Sequence, residues 1–341
     1  MTLSSHKIED IQIVMHDQYE KIGKKIGNEF FVPLSLIEKG YHSESEWRQD
    51  ENTLKVHVTK LRALDIQDYQ YYGNYLHYDK NSVENWNVQF DAKGIPKTIY
   101  SFGEYYNPAT IAQYGLQHYS LYHKNKNEES KKKFFKVADW LIDNQDSKGG
   151  WAYHFNLPYF PKRLKDIKAP WYSAIGLGMA MSVLSRASYL SRNQNYANRA
   201  LRANALFQRF PPNGVLAKFE NEYSFYEECP TNPPSYILNG FMFALVGLYD
   251  LATRTENKLT KQLFNDGMIT LKRMLPLYDL GNRTAYDLTH YTTDGGYPNV
   301  AKWGYHVTHI HLLATLNAVS KDDRLKKALK RWTDYLYGNT P

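Results

Sequence analysis

A mainly α-helical protein, an incomplete α/α toroid preceded by a small β-containing N-terminal region, is predicted from three observations. Eight segments after Pro108 carry apolar residues at spacings of three and four. The connections between them are irregular and rich in aromatic residues and glycine, and short alternating runs are confined to the chain before Pro96. At a rough 150 residues per domain, the 341 residues suit two domains or one large body. The division expected is 1–105 for the N-terminal region and 106–341 for the helical body.

The first stretch places Ile8, Ile11, Met15, Tyr19, Ile22 and Ile26 at helical spacing, which predicts one amphipathic helix ended by Gly27 and able to act as a packing arm. From Phe30 to Pro96 the runs shorten and alternate, as at Leu54, Val56 and Val58, and polar turns separate them as far as KGIP; this is the small mixed β region. Helical periodicity then covers 111–122, 134–142, 171–190, 196–210, 237–251, 259–274, 308–319 and 325–337. Gly176 and Gly178 lie inside one such run and read as sites of close helix packing. No internal repeat is visible as letters, yet loops of one character recur: GEYYNP, which holds Tyr105, then KGGWAYHF, FYEECP and YPNVAKWGYH. In an α/α toroid such loops gather at one end and line a groove.

The 43% apolar and 23% charged fractions exclude a disordered chain or a coiled-coil rod. Twenty-nine tyrosines outnumber 15 Phe and 7 Trp together, a mix of flat rings and hydroxyls that suits a carbohydrate-facing surface. A net charge of +7 speaks for a polyanionic partner, which by charge alone is nucleic acid, an anionic membrane or an acidic polysaccharide. The runs at 131–133 and 324–330 read as solvated helix faces. Cys229 is the single cysteine, so an intramolecular disulfide and a multi-cysteine metal cage are excluded. The N-terminus lacks a signal-peptide pattern and no run of about 18 apolar residues occurs, so a cytoplasmic protein without a membrane segment is expected.

Of His306, His309 and His311, the first two share one face if helical, but no HExxH accompanies them and no third ligand of matched geometry is evident, so no metal is expected; these histidines should donate to backbone carbonyls or line a polar groove. No phosphate-cradling glycine loop is present, which sets nucleotide cofactors aside. Cys229 lacks a nucleophile's local signature. More informative is the pair Glu227-Glu228 before Cys229-Pro230, followed by a helix, with tyrosines returning at Tyr286 and Tyr305. Extended backbone turns adjacent side chains to opposite sides, so one glutamate should face a groove and the other solvent. The plainer reading of the pair is a helix-entry turn.

The strings NPATIAQYGLQHY, ADWLIDNQDSKGGW, PWYSAIGLGMA, YEECPTNPPSYILNGFMFALVGLYDL, MLPLYDLGNRTAYDLTH and PNVAKWGYHVTHI run in order over roughly two-thirds of the chain. They resemble the D-glucuronyl C5-epimerases of heparan sulfate and heparosan biosynthesis. Animal members carry a β-rich domain between the AQYG helix and the KGGW segment, and here a short charged helix takes its place. The resemblance implies a cofactor-independent epimerase that converts glucuronate to iduronate within a heparosan-like polymer, working as a homodimer; the partner expected is that anionic polysaccharide and not nucleic acid. It assigns the two faces of the sugar ring to Glu228 and Tyr305, with Tyr286 beside them. It implies substrate contacts at Gln113, Asn239 and Asn299. Two positions depart from the family pattern: Cys229 stands for a tyrosine and Thr289 for an arginine, and both remain candidates for substrate fit.

The chemistry asks for the same parts. Removing a proton alpha to a carboxylate loads a second negative charge onto it, and donors or cations at that oxyanion lower the barrier. Tyr286, with Lys302 or His306 nearby in sequence, is a candidate for that role; Lys302 and the basic loop with Lys162 and Arg163 offer the cationic surroundings a tyrosine base needs, and Trp303 is a candidate for stacking on a sugar face against the alternative of a core position. Two further functions share these sequence features. An α/α-toroid polysaccharide lyase would begin with the same proton abstraction and then expel the C4 oxygen, and an inactive uronan-binding protein would do neither.

Overall fold

The computed structural model describes residues 7–15, 19–41, 43–58, 66–158 and 164–339. The expected N-terminal helix is instead a hairpin. β1 (Ile8–Met15) and β2 (Tyr19–Ile26) pair antiparallel from Ile8↔Ile26 to Met15↔Tyr19, and β3 (Glu29–Phe31) adds to β2. Ile11 and Ile13 stand two apart, which is the strand period, and β-branched residues prefer pleated backbone to helix. Gly27, at φ 60°, makes the tight turn into β3. After α1 (Leu34–Tyr41), β4 (Ser43–Arg48) pairs with β5 (Thr53–Val58), and later β6 (Val88–Phe90), β7 (Pro96–Tyr100) and β8 (Gly103–Tyr105) form a second three-stranded antiparallel sheet.

The helical body has two shells. α2 (Pro108–Asn125), α4 (Ala174–Ser191), α6 (Leu238–Thr255) and α9 (Trp303–Ser320) are the inner helices, and α3 (Glu128–Asp143), α5 (Gln194–Arg202), α7 (Lys258–Met274) and α10 (Asp323–Leu336) are the outer ones. α4 packs on α2 and α6, α6 packs on α9, and each outer helix packs on the inner helix before it. The inner helices α4 and α6 are buried almost all round, whereas α3 buries only a stripe of Ser130, Phe134, Val137, Ala138 and Leu141. Between these lie β9 (Leu216–Phe219) and β10 (Tyr223–Tyr226), a hairpin that the helical reading of the sequence did not foresee, and the single turn α8 (Thr289–Thr292). The result is an incomplete α/α toroid.

A repeat hidden from the letters is present in the turns. Each inner helix ends in a left-handed residue, at Lys126, Arg192, Glu256 and Lys321, and the next residue, Asn127, Asn193, Asn257 or Asp322, caps the outer helix with its side chain. Such a turn needs only two residues, so each pair is forced antiparallel. Close approach is met where side chains are absent: a β-carbon on Gly178 of α4 would lie 2.5 Å from the Ala244 Cα of α6, and one on Gly247 would lie 2.0 Å from the Gly178 carbonyl oxygen.

The segment 66–86 bridges α2 and α9. Val83 N donates to Gln117 Oε1 at 2.7 Å, Tyr78 OH donates to Gln113 Oε1 at 3.3 Å, and the His77 ring meets that of His311 at 5.6 Å. Its start is anchored by a fully buried ion pair. Arg186 of α4 donates to Asp250 of α6 at 2.6 Å, and Tyr69 OH donates to the same carboxylate at 3.0 Å. Among the described residues no helix is long and apolar enough to cross a membrane.

Candidate active site

The inner helices begin around a cleft of about 810 Å³ lined by residues from α2, α4, α6 and α9, from the segment 76–86 and from the loops that precede the helices. How Glu228 reaches it is decided by its neighbour. β10 delivers Glu227 into the core, where its carboxylate accepts from Ser235 Oγ at 2.8 Å and from Tyr236 N at 3.0 Å. Its backbone N donates to Val215 O, and its carbonyl accepts from Ala174 N, the first residue of α4. Glu227 is therefore 1% exposed and structural, contrary to the expectation that the glutamate turned away from the groove would be solvated. Past the end of β10 the chain bends, and Glu228 turns the other way, into the cleft.

The Glu228 carboxylate sits on the first turn of α6. Asn239 Nδ2 donates to Glu228 Oε2 at 3.2 Å and the Gly240 backbone N–H donates as well. Only glycine fits at 240, because a β-carbon there would lie 2.4 Å from the Glu228 Cβ. Burial pushes the Glu228 carboxyl up to about 7, and the two donors and the helix N-terminus hold it from going higher. Such a group exchanges its proton near neutral pH. Glu227, buried more deeply, is pushed up to about 8.

Tyr305, in the first turn of α9, is 42% exposed and lies edge-on to Tyr286 with ring centres 4.8 Å apart. Both line the cleft with Glu228, Cys229, Asn239 and Gln113, so six of the residues singled out from sequence are brought together. Tyr286 is fixed through its backbone: its N donates to Asn299 O at 2.6 Å, and its carbonyl accepts from Leu238 N at the start of α6. The Cys229 thiol is pushed well above its usual value by burial and by the charge of Glu228, which leaves it a small neutral wall residue.

The other expected contacts fall elsewhere. Thr289 and Asn299 both donate to Asp287, from Oγ1 at 2.7 Å and from Nδ2 at 2.7 Å, and hold that buried carboxylate in place; neither lines the cleft. His306 is buried. It donates from Nε2 to Trp332 O at 3.0 Å while Nδ1 meets Thr284 Oγ1 at 2.9 Å, and burial lowers it to about 4. A neutral core histidine cannot carry the charge expected of it. His309 shares Thr284 at 2.8 Å, and among the described residues no group of three potential metal ligands occurs. Lys302 caps α9 with its backbone, accepting from His306 N, and does not line the cleft. Tyr105 packs on Phe155, ring centres 4.9 Å apart, behind the cleft wall. Lys162, Arg163 and the Trp303 side chain lie outside the described residues.

Sequence reading expected aromatic loops along a groove but did not single out the residues of the wall, and it missed the far end. Tyr153 stacks on Trp171 with ring centres 4.2 Å apart, and Tyr100 accepts from Asn107 Nδ2 at 2.8 Å. His77, Lys80 and Trp86 come from a segment with no motif. The alternation of Trp151, Tyr153, Phe155 and Leu157 was the available signal, since every second residue there is a large ring or aliphatic chain facing inward.

The model of the family described as D-glucuronyl C5-epimerase C-terminus matches residues 145–334. A D-glucuronyl C5-epimerase of Caenorhabditis elegans is 36% identical over 226 residues, which is 62% of this chain and 36% of that protein. An uncharacterised protein of Methanocaldococcus jannaschii is 25% identical over 233 residues, 62% of this chain and 70% of its own. Among solved structures, a polysaccharide lyase is 14% identical with a TM-score of 0.44, over 75% of this chain and 70% of that one.

Proposed function

The chain belongs to the family described as D-glucuronyl C5-epimerase C-terminus, and from that membership we propose that it inverts C5 of a hexuronate inside an anionic, heparosan-like polysaccharide. The observation that carries the reading is a carboxyl held near neutrality, Glu228, in one cleft with two tyrosine hydroxyls, those of Tyr286 and Tyr305. One group takes the C5 proton and leaves an enediolate on the uronate carboxylate. The other returns a proton to the opposite face, so the bond broken and the bond formed are both C5–H and no oxidant or cofactor enters the balance. In the proposed roles Glu228 and Tyr305 serve the two faces, and Tyr286 donates to the enediolate with the Asn239 and Gln113 amides at hand.

The test is proton NMR of heparosan and of its N-sulfated form in D2O, with ultraviolet absorbance followed in parallel. Deuterium at C5 with new iduronate signals is expected, and Glu228→Gln and Tyr305→Phe should each lower the rate by about a hundredfold or more. Rising absorbance, the mark of an unsaturated lyase product, or binding without exchange would overturn the proposal. Homodimer formation is part of the same proposal and is read by light scattering.

A further inference from the structure

We propose that the cleft contains a second anionic-sugar subsite, built on Lys80 and His77, which takes the acidic group of a sugar beyond the reacting uronate. The inference rests on the epimerase reading. Tyr305, Thr308 and His311 face the cleft from successive turns of α9. Six residues at about 1.5 Å each put His311 about 9 Å along the axis from Tyr305, farther than one pyranose ring extends. A cleft of about 810 Å³ likewise exceeds one sugar.

What stands at that far end has the chemistry of a recognition site. Lys80 is the only lysine or arginine lining the cleft among the described residues. Its neighbour Asp79 does not neutralise it, because that carboxylate is turned onto Lys124 at 2.7 Å and Asn74 at 3.0 Å. His77 is held over α9 against the ring of His311, and its Nε2 is buried with no hydrogen-bond partner. Burial and the nearby Lys80 charge keep both imidazoles neutral, so the positive charge at this end of the cleft is supplied by Lys80 alone. Trp86, 41% exposed at the rim, presents a ring on which a sugar face can lie. A carboxylate from the next uronate and an N-sulfate from a flanking glucosamine share the required chemistry.

The experiment is calorimetric binding of size-defined heparosan oligosaccharides, from disaccharide to octasaccharide, N-acetylated and N-sulfated, to the wild-type protein and to Lys80→Gln. Lys131→Gln, on the outer helix α3, controls for the loss of one positive charge. Wild-type affinity should rise once the ligand is long enough to reach the far end. Lys80→Gln should lose that rise, about tenfold in Kd, and bind the disaccharide as wild type does. His77→Ala should lose part of the same rise. A gain confined to N-sulfated ligands identifies sulfate as the bound group, and an equal gain in both identifies carboxylate. Equal affinity of Lys80→Gln and wild type at every length, or a loss matched by Lys131→Gln, would overturn the subsite. Because the comparison reads affinity and not C5 exchange, absence of exchange would refute the epimerase reading and leave this comparison intact.

Discussion

Gly240→Ala isolates the placement of one carboxylate from everything else in the fold. The added β-carbon would stand 2.3 Å from Glu228 Oε2, 2.4 Å from its Cβ and 2.8 Å from its Cγ. Non-bonded carbons sit about 3.5–4.0 Å apart, so the shortfall at the Glu228 stem is about 1 Å. Rotating the carboxylate relieves the first contact and leaves the second, so the backbone at 228 or the start of α6 must shift. Overpacking of this kind costs about 1–3 kcal/mol, and exchanging glycine for alanine in a helix returns about 1 kcal/mol. The net of about 0–2 kcal/mol should lower Tm by only a few degrees. Displacing a catalytic group by about 1 Å, in contrast, costs about a hundredfold in rate. The assay is C5 deuterium incorporation beside a thermal melt. Gly240→Ala with Glu228→Gln should be no slower than Glu228→Gln alone, since both changes act on one group. Exchange in Gly240→Ala within threefold of wild type would refute the claim that glycine at 240 exists to seat Glu228.

The remaining expectations concern the groups that support the site. Burial raises the Glu227 carboxyl from 4.5 to about 8 and that of Glu228 to about 7. A carboxyl whose folded pKa exceeds its unfolded one stabilises the protein fully below about pH 4.5, and this contribution is lost as pH rises through the folded value, at most about 1.4 kcal/mol per pH unit for each group. Tm should therefore fall from about pH 5 to about pH 8, and Glu227→Gln should flatten that slope; a wild-type slope in the variant would refute the assignment. Removing one partner of the buried Arg186–Asp250 pair, as in Asp250→Ala, should cost about 3–5 kcal/mol in urea unfolding because the other charge is left uncompensated. A loss below about 1 kcal/mol would show that water reaches the pair.

The helical body was legible because helix formation is largely local. Apolar spacing located the eight long helices of the toroid, while the caps at Asn127, Asn193, Asn257 and Asp322, although short-range side-chain chemistry, were not recognised before the structure showed them. The N-terminal hairpin was not, since Ile8, Ile11 and Ile22 satisfy a helical spacing while the pairing of β1 with β2 is a contact between strands. The site divides the same way. Glu228, Tyr286, Tyr305, Gln113, Asn239 and Cys229 were identified from motifs and converge on the cleft.

What the amino-acid order determined by itself is therefore the set of helices, their two-residue turns and the motif residues that each helix entry carries. Tertiary structure alone decided which polar residues face the cleft. Thr284 and Trp332 draw His306 into the core, Asp287 draws in Thr289 and Asn299, and α9 gathers His77 and Lys80 from a segment more than two hundred residues away. The physical reason is that a polar side chain near a loop has two ways to be satisfied, water and cleft on one side or a buried partner on the other, and the partner is supplied by a distant part of the chain.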